Sequence, residues 1–122
     1  MDSNFNNSEL LLRAVYPVDR RPKFWKKNGN LSSAALKDSN GLSVDRTGNR
    51  TLVDSLAFIR QNLTGNIVSI PYVLCLKVKA SVFYLPSKNN PYHSEIHGSM
   101  NQKELSDTQA IILAHSATIY RN

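Results

Sequence analysis

Two of the chain's three histidines and one of its nine acids fall within five residues, His93-Ser94-Glu95-Ile96-His97. If this peptide runs extended, side-chain alternation turns His93, Glu95 and His97 to one face and Ser94 and Ile96 to the other. A helix would also bring His93 and His97 together, but Pro91 and Gly98 leave it barely one turn. The extended form is therefore expected. An imidazole beside a carboxylate is oriented and made more basic, which suits proton transfer near neutral pH. On that reading His93 is the base, Glu95 orients a histidine, and His97 with Arg13 or Arg46 steadies an oxyanion or a phosphate. Metal binding is the competing chemistry. The zinc-protease pattern needs Glu directly after the first His, on a helix, and Ser94 stands there instead. Three ligands along one strand seldom converge on one ion, so neither metal nor cofactor is expected. The plain structural alternative is that these are half-exposed strand residues, bonded to neighbours and to the backbone of the preceding turn.

A second concentration of chemistry is basic. Fifteen Lys and Arg against nine Asp and Glu give a net charge of +6 in 122 residues. The excess gathers early, at Arg13, Arg20, Arg21, Lys23, Lys26, Lys27 and Lys37, with Asp19 the acid among them. Such a field concentrates phosphate-bearing partners. The only tryptophan, Trp25, sits within it beside Phe24. Aromatics among cations suit stacking on the bases of a nucleic acid; the alternative is that Phe24 and Trp25 form a lid on the core while the lysines keep the loop wet. Arg13 lies inside the apolar run Leu10–Tyr16, where a cation needs either a carboxylate or an anionic ligand.

Length and composition bound these options. The chain fits one domain, and 41% hydrophobic with 20% charged residues is ordinary for a folded one. Lone Cys75, between two leucines, reads as a small core hydrophobe. Residues 1–8 are polar and acidic, unlike a signal peptide; they read as a disordered lead-in to a domain spanning 9–122. No apolar run reaches the ~18 residues of a membrane span. A cytoplasmic protein without a membrane partner is the expectation, and the Asn30-Leu31-Ser32 and Asn62-Leu63-Thr64 sequons are then chance matches.

The elements that must position these residues follow from period and punctuation. Residues 10–16 predict a strand closed by Pro17, and Ser32–Lys37 a single capped helical turn. In 42–46, Leu42 and Val44 point one way and Ser43 and Asp45 the other. Thr51–Leu63 is the clearest helix, with Thr51 as cap and Leu52, Leu56, Ile59 and Leu63 as its apolar stripe. Ile67–Ile70 is a strand. From Leu74 to Tyr84 a period of two competes with Pro71 as a helix start; a helix at 72–78 followed by a strand at 80–85 is preferred. Ser106-Asp107-Thr108-Gln109 is a capping box opening a helix to about 117, with His115 off its apolar face, and 118–120 can add a strand.

Three fragments, Leu31-Ser32-Ser33-Ala34-Ala35-Leu36, Gly41-Leu42-Ser43-Val44 and Asn90-Pro91-Tyr92-His93-Ser94-Glu95-Ile96-His97-Gly98, resemble in order and spacing a set of small uncharacterised bacterial proteins. That set carries S-S-A-A-aromatic, G-L-S-V and N-P-x-H-x-x-I-x-G; Leu36 stands where it has an aromatic. The resemblance covers about half the chain. It implies a bacterial or phage-related origin, a single domain and the helix-then-strand form of 71–85, but no activity. His93 belongs to the shared pattern and His97 does not.

The expected fold is α+β: a small mixed or antiparallel sheet with two main helices. Ser32, Ser33, Ser43, Arg46 and His93 are expected along one cleft. Three functions stay open: a binding module for nucleic acid or nucleotide through Arg20, Arg21, Lys23, Trp25, Lys26 and Lys27; an enzyme on a phosphate- or ribose-containing substrate; and a subunit of a larger protein assembly.

Overall fold

In the computed structural model, which describes residues 1–121, six strands form one sheet: β1 (Leu10–Val15), β2 (Leu42–Arg46), β3 (Asn66–Pro71), β4 (Ser81–Tyr84), β5 (His93–His97) and β6 (Thr118–Tyr120). Their spatial order is β4-β5-β2-β1-β3-β6, and every neighbouring pair is antiparallel. Three helices accompany them, α1 (Leu52–Asn62), α2 (Tyr72–Lys77) and α3 (Asp107–Ser116). The α+β expectation is met, with the sheet wholly antiparallel.

Local chemistry sets the helix ends. Thr51 Oγ1 accepts from the Asp54 amide, and at α3 the capping box closes in both directions between Ser106 and Gln109. Ser32 caps a single 3₁₀ turn at Ser33–Leu36. The competition over 72–85 resolves as helix then strand: Lys79 takes a φ of +63° and the Ala80 amide reaches back to the Cys75 carbonyl, so the chain reverses between α2 and β4. The period of two that runs through α2 in the sequence is therefore coincidental.

Alternation divides the sheet's two faces unequally. One carries Leu11, Val15, Leu42, Val44, Val68, Ile70 and Ile96, all buried beneath Trp25, Leu36, Cys75, Leu105 and Leu113 from the 3₁₀ turn, α2, α3 and the loops. The other is covered by α1 alone, which packs Ile59, Leu52 and Leu56 on Leu12 and Ile67. α1 thus roofs β1 and β3, and the same face of β2 and β5 keeps Ser43, Asp45, His93, Glu95 and His97 partly or fully exposed. β1 pairs with β3 through all six of its residues but with β2 at two positions, Leu11–Arg46 and Leu12–Asp45. Beyond those the two strands part.

Residues 1–8, expected as a disordered lead-in, contain neither helix nor strand, and several contacts tie them to the body. The Asp2 and Asn4 carbonyls accept from Arg46, and Phe5 stacks on Tyr72 with ring centroids 4.9 Å apart. Among the described residues, no helix is long and apolar enough to cross a membrane.

Candidate functional site

The parting of β1 from β2 beneath the C-terminal half of α1 leaves a cavity of about 320 Å³. Its floor is apolar, from Leu12, Ala14, Ile59 and Leu63, with Phe58 at the side. Its polar lining comes from Arg13, Ser43, Asp45, Asn62, Asn89, Asn90 and His93. Residues from four separate stretches of sequence converge here.

The rim is fixed by hydrogen bonds within the turn from Pro86 to Pro91. Asn90 Nδ2 donates to Asp45 Oδ1 at 2.8 Å, the Asn90 amide to Ser87 Oγ at 3.1 Å, and the Tyr84 hydroxyl to the Pro91 carbonyl at 2.6 Å. His93 faces Asp45 across the β2–β5 ladder. Its Nδ1 lies 3.0 Å from the Leu85 carbonyl oxygen. A carbonyl can only accept, so Nδ1 carries the proton, and in the neutral ring Nε2 is the acceptor. Among the described residues Nε2 has no partner within the protein, and the same holds for Ser43 Oγ and the Asn62 and Asn89 side-chain amides. The cavity therefore presents uncommitted donors and acceptors above an apolar floor.

Arg13 shares the sheet face of Leu11 and Val15 and reaches the cavity only through the gap between β1 and β2. Its Nη1 donates to the Ser43 carbonyl at 2.8 Å, where a strand amide would have served had β1 and β2 stayed paired. Burial lowers its pKa, and Asp38 raises it in part. Arg50 stands nearby, its guanidinium carbon 3.3 Å from the centre of the Tyr92 ring, while that ring meets Phe58 edge-on at 5.8 Å. Burial lowers the Arg50 pKa as well, with Tyr92, Asp45 and Asp54 opposing.

The peptide at 93–97 is extended as expected, and His93, Glu95 and His97 share a face, but they do not meet over one hollow. His97 Nε2 lies 2.8 Å from Glu95 Oε1, and His97 packs on Phe83 with centroids 4.7 Å apart. The histidine that Glu95 orients is thus His97, and His93 is oriented by the Leu85 carbonyl instead. The expected cleft is corrected likewise. Ser43 and His93 line it. Ser32 is occupied as a helical cap, and Arg46 is buried in a bidentate ion pair with Glu9, at 2.8 and 2.6 Å. Arg46 follows Val44 on β2 and so points to the face opposite Ser43 and Asp45.

Of the basic-loop residues, Trp25 is buried and donates from Nε1 to the Tyr16 carbonyl at 2.8 Å, which makes it a lid. Arg20 and Arg21 are exposed, their guanidinium carbons 4.7 and 5.4 Å from the Tyr16 ring centre, and Lys23, Lys26 and Lys27 are exposed beyond them. Arg20 and Tyr16 line a second hollow of about 320 Å³, completed by Thr64, Ala14, Asn62 and Leu63. The last three also line the His93 cavity, so the two hollows share a wall.

Sequence reasoning missed Asn62 and Leu63. The sequence period extends the stripe of α1 to Leu63, but the helix stops at Asn62, Leu63 turns extended at φ −130°, and its side chain is 57% exposed. The Asn-Leu-Thr-Gly stop signal was the available clue, because a helical period holds no longer than the helix. Among the described residues, no group of three or more His, Cys, Asp or Glu is placed to hold a metal ion. No protein-family model, curated protein or solved structure matches this chain.

Proposed function

We propose that this protein is a binding module for a phosphate-bearing ligand, a nucleotide or a nucleic acid, taken up across the adjoining hollows that hold His93 and Arg20. The observation that carries this reading is the wall of Ala14, Asn62 and Leu63 shared by the two hollows. Three shared residues thus have an uncommitted imidazole on one side and, on the other, Arg20 of the most basic loop of a chain with a charge of +6. Arg20 and Arg21 are held over Tyr16 and remain exposed, so their charge can meet a phosphate without rearrangement. Trp25 takes no part except as a support for the loop.

The test is binding of a labelled single-stranded oligonucleotide measured against salt. Affinity should fall steeply between about 50 and 200 mM salt, and the log–log slope should drop by about 0.7 for each phosphate contact removed, as in an R20Q/R21Q variant. Binding indifferent to salt, or unchanged in that variant, refutes the reading.

A second reading rests on a separate observation, the Leu85 carbonyl that keeps the His93 proton on Nδ1 and leaves Nε2 as acceptor. This is the form a general base needs, and a bound ribose or phosphate-bearing substrate would then be acted upon and not merely held. Turnover that follows a single basic pKa and is lost in His93→Gln but kept in Lys26→Gln would support it. Turnover surviving in His93→Gln removes it.

A further inference from the structure

We infer that the His93 cavity holds a single unpaired nucleobase, with the attached phosphate directed across the shared wall toward Arg20. This deepens the anion-binding reading and rests on it.

The inference comes from the mismatch between the two hollows that share the wall. The outer one carries the guanidinium of Arg20 beside Tyr16. The inner one is built for something flat and largely apolar with a polar edge. Its volume of about 320 Å³ is at the small end of ligand sites, which run to about 1,000 Å³. Leu12, Ala14, Ile59 and Leu63 offer methyl and methylene surface, and Phe58, held edge-on by Tyr92, offers an aromatic wall. A hydroxyl-studded sugar would leave its own polar groups unpaired against that floor. A fatty chain would in turn desolvate the uncommitted Ser43 Oγ, Asn62 amide and His93 Nε2 at the rim. A nucleobase satisfies both parts: its faces are apolar and polarisable, and its edge alternates donors and acceptors. A side-chain amide, which both donates and accepts, can read such an edge, and Asn62 and Asn89 each bring one.

Only an unpaired base fits. A base within a duplex has its pairing edge occupied and its faces stacked. The base can come from a free nucleotide or from a single strand, and the chemistry at the cavity is the same for both.

The experiment is competition against a labelled single-stranded oligonucleotide at fixed salt, using three probes: an unlabelled strand of the same length, an abasic strand with an identical phosphate backbone, and a nucleoside monophosphate. The base-bearing strand should compete about tenfold better than the abasic one, the order expected for stacking one base. Asn62→Leu and Ser43→Leu should each abolish that preference, read as the ratio of base-bearing to abasic competition within the same variant. Both positions are exposed in the free protein, so either variant should fold, and its melting temperature checks this. Competition by the monophosphate at concentrations similar to the strand identifies a free nucleotide as the source; competition by the strand alone identifies a single strand. Either supports the inference. Equal competition by base-bearing and abasic strands in the unmodified protein overturns the inference and leaves the anion-binding reading standing. A preference that persists in both variants overturns the cavity assignment. If nothing binds at all, the anion-binding reading itself fails.

Discussion

Arg13 and Arg46 sit on neighbouring strands, and the protein treats their charges in opposite ways. Around Arg46 four of the five N–H donors are used. Glu9 takes Nε and Nη2, the Asp2 carbonyl takes Nη1, the Asn4 carbonyl shares Nη2, and the Phe5 and Tyr84 rings lie 4.3 and 4.7 Å from the guanidinium carbon. Around Arg13, among the described residues, a single protein hydrogen bond is made, to Ser43, at the edge of an open cavity, with Asp38 as the opposing charge. A cation enclosed on all sides belongs to the fold. One left mostly uncommitted beside a hollow is available to a ligand. The sequence marks both only as arginines in or next to apolar runs.

The sharpest way to break this contrast is Arg46→Ala. It leaves the Glu9 carboxylate buried without its partner, and such one-sided removals cost about 3–5 kcal/mol. Unfolding in urea should move by that amount. Replacing both partners, in Glu9→Leu with Arg46→Met, should cost less than the single change, because no orphaned charge remains. The pair also predicts an acid response. Burial raises the Glu9 pKa, but hydrogen bonds from the Arg46 side chain and from the Asn6 and Gly48 amides, with the Arg46 charge, bring it below the ordinary carboxylate value. A folded carboxyl that releases its proton more readily than the unfolded one stabilises fully above the unfolded pKa, about 4.3. That stabilisation is lost as pH falls through the folded value. Stability measured from pH 6 downward should decline less steeply in Glu9→Gln than in the unmodified protein, and equal slopes would count against the enclosed-pair account.

Gly41→Ala probes the open side next, at the Glu95–His97 pair. Gly41 has φ +94°, and a Cβ there would fall 2.6 Å from His97 Nε2 and 2.9 Å from Glu95 Oε1. Strain of about 1–3 kcal/mol is expected from the backbone alone, together with displacement of the two side chains. Because His93 is anchored separately by Leu85, ligand affinity should change far less than stability. An equal loss of both would mean that the three residues act as one site after all.

What could be read in the sequence and what could not divides along the same line. The extended form of 93–97 was legible because Pro91 and Gly98 leave no length for a helix, and the outward turn of Ser43 and Asp45 followed from alternation in β2. Caps at Thr51 and Ser106 were legible because capping is settled within four residues. Partner choice was not. Glu9 reaches Arg46 across 37 positions, and nothing local to either residue names the other. Trp25 admitted two readings in sequence because a lid and a stacking platform need the same side chain; only its burial and the bond to Tyr16 decide. The cavity was least legible of all, since it exists where β1 and β2 stop pairing, and register is a property of two strands together.

Ser106→Ala measures the closed side at a distance from both arginines. Losing the capping box should cost about 1 kcal/mol, visible in thermal unfolding, and leave ligand affinity unchanged because α3 packs on the opposite face of the sheet.

The smallest expected effect on stability is the most informative about the contrast. Arg13→Met removes one hydrogen bond to the Ser43 carbonyl, worth about 0.5–1.5 kcal/mol net, but it also removes the cost of holding a cation out of water and keeps most of the apolar stem. These terms oppose, so denaturant unfolding should shift by less than about 1 kcal/mol, against several for Arg46→Ala. Affinity for the oligonucleotide should fall nonetheless, and its salt dependence should weaken, because a charge at the cavity's edge is gone. If Arg13→Met proves as destabilising as the loss of Arg46, then Arg13 is a second structural arginine. If it leaves binding and its salt dependence untouched, the charge beside the cavity serves the split between β1 and β2 and nothing else.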